Sequence, residues 1–277
     1  KGDGGWSSIV PTQNLVDEYE MSTGLTTGEA GSGYDPTHPY VNRDPRMSMT
    51  IYYPGCDFTK DDGPVIVFNT LDKEIAGKKK ANYTLAANNA SKTALTWAKY
   101  LDPITQYNAT GVWDTEACPI VFRYAEVLLT LAEAENELNG PSAGVYDALD
   151  EVRARAGMPA VDKNKYATKE KLRELIRRER AVEFAGEGLR RADIVRWKTS
   201  DGKMVAEKVM NGKLNRVVGP VSIDTSVAPE MRATINVNAS PELGLIEERT
   251  FKAHNRYLPI RLTILSKNPQ LTQNDGY

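Results

Sequence analysis

Histidine and cysteine are both scarce in this chain. The 277 residues include two histidines and two cysteines. Two cysteines exclude a disulfide-framework fold and a Cys-rich zinc site, and they leave open one disulfide, Cys56–Cys118, or two thiols. A histidine metal site or a Ser-His triad would have to use His38 or His254, and neither lies in a spacing such as HExxH. We therefore expect no metal and no His-dependent catalysis.

Long apolar runs and a charge excess are absent as well. No apolar run reaches the ~20 residues that a membrane-spanning helix needs. The formal net charge is −2, so no basic field is present to collect nucleic acid or an anionic membrane. Walker A, GxSxG and intact GxGxxG motifs are also missing. We expect a chain that binds no nucleic acid and needs no cofactor.

Composition divides the chain into three regions. Residues 1–118 are rich in Gly, Thr, Asn, Pro and Tyr, which predicts loops with two short strands, Met47–Tyr53 and Val65–Phe68. Residues 119–198 have the Ala, Leu, Glu and Arg content of helices. Residues 199–277 are weakly patterned and end in an extended, Pro-punctuated tail. We expect the three regions to form one domain together.

Residues 119–198 carry helix signals in series. Val121–Asn139 has apolar residues near helical spacing and stops at Gly140-Pro141. Ser142 can cap a second helix that ends before Gly157. The short link predicts an antiparallel helical hairpin, the unit of tetratricopeptide-like arrays. A third helix should run from Thr168 to about Phe184, and Leu189–Lys198 should form a short fourth. The fold class is mainly α.

Several local patterns occur together along the chain and in a fixed order. The blocks are Trp6–Tyr19, Asp44–Met47, Arg123–Ala134 (RYAEVLLTLAEA), Leu149–Gly157 (LDEVRARAG), Ile176–Trp197 (IRRERAVEFAGEGLRRADIVRW), Tyr257–Ile260 (YLPI) and Asn268–Tyr277 (NPQLTQNDGY). In series they resemble the C-terminal half of SusD/RagB proteins, a family of nutrient-binding lipoproteins. The tail departs from the family pattern at Arg261 and at Asp275.

The resemblance implies a fold and a cellular role. The fold would be SusD-like, with a tetratricopeptide-like core. The role would be non-catalytic capture of an oligosaccharide or polysaccharide at the extracellular face of the outer membrane, and delivery to a SusC-like, TonB-dependent transporter. Neither Cys56 nor Cys118 follows an apolar leader segment, so the lipid anchor would lie outside this stretch of chain.

The segment Thr93–Asp114 has the composition of a sugar-binding surface. Aromatic rings stack on the apolar faces of a sugar, while amide and carboxylate groups bond its hydroxyls. An alternative is that these rings fill the core of a region poor in aliphatic residues. The stacking candidates are four aromatic residues: Trp97, Tyr100, Tyr107 and Trp113.

The third predicted helix points two glutamates into its apolar face. Stepping along the stripe that begins at Leu172 reaches Glu179 and Glu183. A buried carboxylate must be paired, and arginine can pair with it bidentately. We therefore predict a structural Glu–Arg network; the alternative is a catalytic acid–base pair. The proposed arginines are Arg153, Arg190 and Arg191.

Three other functions fit parts of the sequence. A RagB-like protein would bind peptides instead of sugars. A helical-repeat scaffold would bind only protein. A glycoside hydrolase would need two carboxylates across a cleft.

Overall fold

The fold is mainly helical. The computed structural model describes residues 9–58, 66–69, 74–75, 78–79, 91–100, 118, 120–215, 221–237 and 245–277. The helices in these ranges are α1 (Gln13–Glu18), α2 (Pro45–Thr50), α3 (Tyr124–Asn139), α4 (Ala143–Arg155), α5 (Lys169–Glu183), α6 (Arg190–Arg196), α7 (Val205–Val209) and α8 (Leu262–Leu265). Short 3₁₀ turns cover Pro229–Met231 and Ala253–Arg256.

Strands are short and pair two at a time. They are β1 (Ile51–Tyr52), β2 (Asp57–Phe58), β3 (Ile66–Val67), β4 (Glu74–Ile75), β5 (Lys78–Lys79), β6 (Thr96–Trp97), β7 (Gly212–Asn215), β8 (Val221–Ile223), β9 (Ala233–Ile235) and β10 (Leu245–Arg249). The pairs are β1–β6, β2–β3, β4–β5, β8–β9 and β7–β10. In the antiparallel β1–β6 pair, Ile51 lies opposite Trp97. Mainly helical structure with short strands confirms the predicted fold class.

The predicted helical hairpin is formed by α3 and α4. Gly140 ends α3 with a φ of 79°, a conformation that glycine adopts without a steric penalty. Two residues later the Ser142 hydroxyl accepts a hydrogen bond from the Val145 amide at 3.3 Å and caps α4. Helix α3 contacts both α4 and α5, so the three helices form one packed layer.

Helix α5 is rich in charged residues and has one buried face. The Thr168 side chain accepts from the Lys171 amide at 3.3 Å and caps its N-terminus. Leu172, Leu175 and Ile176 are buried, and Glu179 and Glu183 follow on the same face with 2% and 3% exposure. The face turns towards α1 and α2 as well as α3. Helix α5 therefore joins the helical layer to the loop-rich region.

The loop-rich region has an aromatic core of its own. The rings of Tyr40 and Tyr53 stack at 4.2 Å between centroids and are both buried. They pack with Ile51, Leu95 and Val182, so this core reaches the last turn of α5. These tyrosines serve packing.

The chain forms two compact units. One contains Lys1–Glu187 with Asn215–Ile246, and the other Gly188–Leu214 with Glu247–Tyr277. The second unit has a small core in which Ile194, Trp197 and Met204 are buried, and α6 contacts α7. The expected boundary at residues 198–199 falls inside this unit.

Two local predictions differ from the structure. The run Met47–Tyr53 begins as helix, because the Asp44 side chain caps α2 by accepting from the Arg46 amide at 2.9 Å and Pro45 occupies the first helical position. The tail, expected to be extended, contains α8.

The two cysteines lie in different environments. Cys56 is buried, Cys118 is exposed, and no disulfide joins them. Burial raises the pKa of the Cys56 thiol to about 12. None of the helices in the described ranges combines the length and the apolar character needed to cross a membrane.

Candidate functional site

Glu179 lies between two arginines from other helices. Its Oε1 accepts from Arg46 Nη1, and its Oε2 accepts from Arg153 Nη1 at 3.1 Å. Arg46 belongs to α2 and Arg153 to α4. All three side chains have 8% exposure or less. The carboxylate therefore ties α5 to two different helices away from water.

Glu183, one helical turn further, has three arginine partners. Its Oε2 accepts from Arg46 Nη1 at 2.9 Å. Its Oε1 accepts from Arg123 Nη1 at 2.5 Å and from Arg155 Nη2 at 2.6 Å. Arg123 is the residue immediately before α3. One carboxylate thus connects the start of α3, the end of α4 and α2.

The cluster continues beyond α5 on one side. Arg153 Nη2 donates to Glu20 Oε2 at 3.0 Å, and Arg178 Nη1 donates to Glu20 Oε1 at 3.3 Å. Arg46 Nη2 donates to Asp44 Oδ2 at 2.6 Å. Buried acids from three separate segments therefore share the same arginines.

On the other side the cluster ends at Glu187, in the turn after α5. Arg123 Nε and Nη2 donate to the two Glu187 oxygens at 2.8 and 2.9 Å, a bidentate pair. Lys99 Nζ also donates to Glu187 Oε1, and to the Glu183 carbonyl oxygen at 3.2 Å. We call the whole set the Glu–Arg network: Glu20, Asp44, Arg46, Lys99, Arg123, Arg153, Arg155, Arg178, Glu179, Glu183 and Glu187.

The network favours the ionised form of Glu183. Burial works against the charge on Glu183, but hydrogen bonds from Arg123 and Arg46 outweigh it and hold the pKa of this carboxyl below its ordinary value. The pKa of Arg46 is raised, because burial is outweighed by the charge of Glu179 and the bonds to Asp44. A general acid needs the opposite shift, a carboxyl that keeps its proton near neutral pH. Ion pairing is what this arrangement favours.

The buried positions of Glu179 and Glu183 were predicted from the sequence, together with one of their arginine partners. Arg153 lies against Glu179 as proposed. The Arg190 guanidinium lies 5.9 Å from the Trp197 ring centroid. Arg191 Nη2 donates to the Asn255 carbonyl at 3.1 Å. Helical spacing carries no information on which distant arginines lie against α5. A signal was nevertheless present, because Arg46, Arg123 and Glu187 lie in blocks that carry the family resemblance.

The aromatic segment meets the same cluster. Trp97 is half-buried on β6, and its six-membered ring lies beside Gly186, where an added Cβ would be 3.4 Å from the ring. Gly186 has a φ of 78°, so glycine serves this position through conformation and space. Trp97 therefore rests on the turn between α5 and Glu187.

Tyr100 follows at the exposed end of this segment. It is 39% exposed and has a φ of 70°, an unusual conformation for a residue other than glycine. Burial and the charge of Glu187 raise the pKa of its phenol, against a smaller opposing effect of Arg123. The two described candidates, Trp97 and Tyr100, thus flank Lys99. Tyr107 and Trp113 lie outside the described residues.

Metal ligands and histidines were the other candidate functional groups. No group of three or more His, Cys, Asp or Glu side chains there could hold a metal ion. His38 makes contacts with Asp35, Thr37 and Thr234 at 3.0–3.2 Å. His254 packs edge-on against the Tyr277 ring. Each histidine has a local structural role.

The whole chain matches one family model. The model of the SusD family aligns with residues 1–277. The chain belongs to the SusD family. A mainly helical, tetratricopeptide-like fold is the fold of its solved relatives.

Known SusD-like proteins support this assignment at different levels. A SusD-like carbohydrate-binding protein from Bacteroides fragilis is 30% identical with a TM-score of 0.72, over 98% of this chain and 50% of that one. Another SusD-like protein from B. fragilis is 25% identical with a TM-score of 0.70, over 99% and 48%. SusD-like protein P25 of Formosa agariphila is 46% identical over 79 residues, 28% of this chain and 15% of that one. This SusD-family chain thus spans about half the length of the solved relatives.

Neutralising Glu183 should destabilise this SusD-family chain strongly. In Glu183→Gln, Arg46, Arg123 and Arg155 lose a shared buried anion, so we expect the free energy of unfolding to fall by about 3 kcal/mol. The measurement is urea-induced unfolding followed by circular dichroism. Glu174→Gln is the matched control, because Glu174 lies on the same helix with a 70% exposed side chain. Equal stability of the two variants would contradict the structural role.

The carboxylate of Glu183 should make the free energy of unfolding depend on pH. Since the pKa of Glu183 is lowered in the folded chain, its contribution is present above the unfolded value of about 4.3 and is lost as pH falls towards the folded value. We expect the wild-type free energy of unfolding to decrease as pH is lowered from about 5. Glu183→Gln should decrease less steeply over the same range. Parallel curves would show that Glu183 has no lowered pKa.

Proposed function

We propose that this chain captures an oligosaccharide at the extracellular face of the outer membrane and passes it, chemically unchanged, to a SusC-like, TonB-dependent transporter. One observation carries the proposal: a half-buried Trp97 and an exposed Tyr100 lie on a short segment that the buried Glu–Arg network bonds to the end of α5. Rigid loops that carry aromatic rings are typical binding surfaces. Tyr107 and Trp113 belong to the same proposal as further stacking residues.

The chemistry of the segment suits a neutral sugar. An aromatic ring covers the apolar C–H face of a pyranose and excludes water from it. Lys99 and Arg123 lie beside the rings, but Glu187 pairs with both, so little positive charge is left over for an anionic group. A ligand recognised by stacking and hydroxyl bonding fits this balance better than a charged one.

One solved relative supports the sugar assignment. One B. fragilis relative is described as a SusD-like carbohydrate-binding protein, and it shares the fold along almost the whole of this chain. Attachment to the membrane would come from a lipid anchor outside this stretch. Modest affinity suits such a role, because the sugar has to be released to the transporter.

The paired carboxylates favour binding over hydrolysis. A glycosidase needs two carboxyl groups facing a sugar, one of them as proton donor. Glu179 and Glu183 each face at least two arginines and are almost completely buried. They support the surface that holds the aromatic segment.

Calorimetric titration of the chain with maltohexaose, cellohexaose, xylohexaose and mannohexaose tests the proposal. At least one should bind, and Trp97→Ala should weaken it about ten-fold, the loss of about 1.4 kcal/mol. Tyr100→Ala should have a smaller effect. Tyr257→Ala is the control, since Tyr257 is an exposed tyrosine of the other compact unit.

Three results would contradict the proposal in different ways. If none of the four sugars binds, neutral hexasaccharides of these types are not the cargo, and a peptide library becomes the next probe. If a sugar binds equally well to Trp97→Ala, the site lies elsewhere. If the chain releases reducing ends from a sugar, it is a hydrolase.

A further inference from the structure

We infer that Glu187 is a positioning residue of the aromatic segment: by holding Lys99 it fixes residues 96–100 on the end of α5 and sets where Trp97 and Tyr100 meet a sugar. This inference rests on the proposed function for the sugar, and on geometry alone for the placement of Trp97.

The first observation is the burial of Glu187 outside any helix. Its side chain is 3% exposed although it lies in a turn, four residues after Glu183. Both of its oxygens are bonded by Arg123, and Oε1 also by Lys99. A buried carboxylate with a bidentate arginine has a fixed direction. Glu187 is therefore a rigid acceptor for the Lys99 ammonium group.

The second observation is how residues 96–100 are attached. Their backbone is held from one side, because the Thr50 carbonyl accepts from the Ala98 and Lys99 amides at 2.8 and 3.2 Å. The Lys99 side chain reaches the opposite partner, Glu187, and the Glu183 carbonyl. The antiparallel pairing of Thr96 and Trp97 with β1 holds the same backbone. The Lys99 side chain adds an attachment to a different element, the end of α5.

The third observation is the backbone of Tyr100. A tyrosine at φ 70° is in a sparsely populated conformation that persists only where surrounding contacts hold it. Lys99, the residue just before it, carries the bond to Glu187. The unusual φ of Tyr100 and the Lys99 bond to Glu187 lie at adjacent residues. Breaking that bond should therefore let this backbone change conformation and move Tyr100.

A fluorine measurement tests the placement without any ligand. The chain contains four tryptophans, and 5-fluorotryptophan labels all of them; Trp97→Phe assigns the Trp97 resonance. Glu187→Gln and Lys99→Met should each shift the Trp97 resonance and leave that of Trp197, in the other compact unit, in place. Lys99→Arg, which keeps a cationic donor, should stay closer to wild type. An unmoved Trp97 resonance in both variants would overturn the inference.

Sugar binding tests the consequence for function. With whichever of the four hexasaccharides binds wild type, Glu187→Gln and Lys99→Met should each lower affinity about ten-fold. The double variant should lose little more than either single one, because both changes break the same contact. Additive losses, or unchanged affinity, would contradict the positioning role.

Loss of fold and failure of the proposed function can be told apart from failure of this inference. A retained thermal unfolding transition shows that a variant is folded. An unshifted Trp197 resonance shows that the other compact unit is unchanged. Glu174→Gln shows the effect of removing an exposed α5 charge. If no hexasaccharide binds wild type, the proposed function fails for these sugars. The Trp97 resonance still decides whether Glu187 positions the ring.

Discussion

The burial of two glutamates on the inner face of α5 is the constraint on which the rest of the first compact unit depends. A carboxylate out of water costs several kcal/mol unless cations and hydrogen bonds compensate it. Glu179 and Glu183 obtain that compensation from Arg46, Arg123 and Arg153, each supplied by a different part of the chain. These segments must meet at one place, so the network specifies how α2, α3 and α4 are arranged around α5.

The same network connects packing with binding. At its outer end Glu187 pairs with Lys99, so the segment that carries Trp97 is bonded to a buried carboxylate of the network. A binding surface on a loop needs a rigid support, because an unsupported loop would lose conformational entropy on meeting its ligand. The support here consists of charged residues, and the contact surface consists of aromatic ones.

Local structure could be predicted from the sequence, whereas contacts between distant segments could not. Caps at Ser142 and Thr168 and the inward spacing of Glu179 and Glu183 follow from helical periodicity, which is a local property. The arginine partners depend on which helices become neighbours, and periodicity carries no information on that. Arg46, for example, reaches Glu179 from a segment more than a hundred residues upstream. Met47–Tyr53 is a different case, since a local signal, the Asp44 cap followed by Pro45, outweighed the strand-like composition.

The central claim is that a sugar contacts the aromatic segment held by the Glu–Arg network. The most direct test is a two-dimensional ¹H–¹⁵N spectrum of the tryptophan indoles during titration with the hexasaccharide that binds. The account predicts that the Trp97 indole signal moves progressively with sugar concentration while the Trp197 signal, from a buried core residue, stays fixed. A titration in which Trp97 stays fixed while the sugar binds would contradict the account.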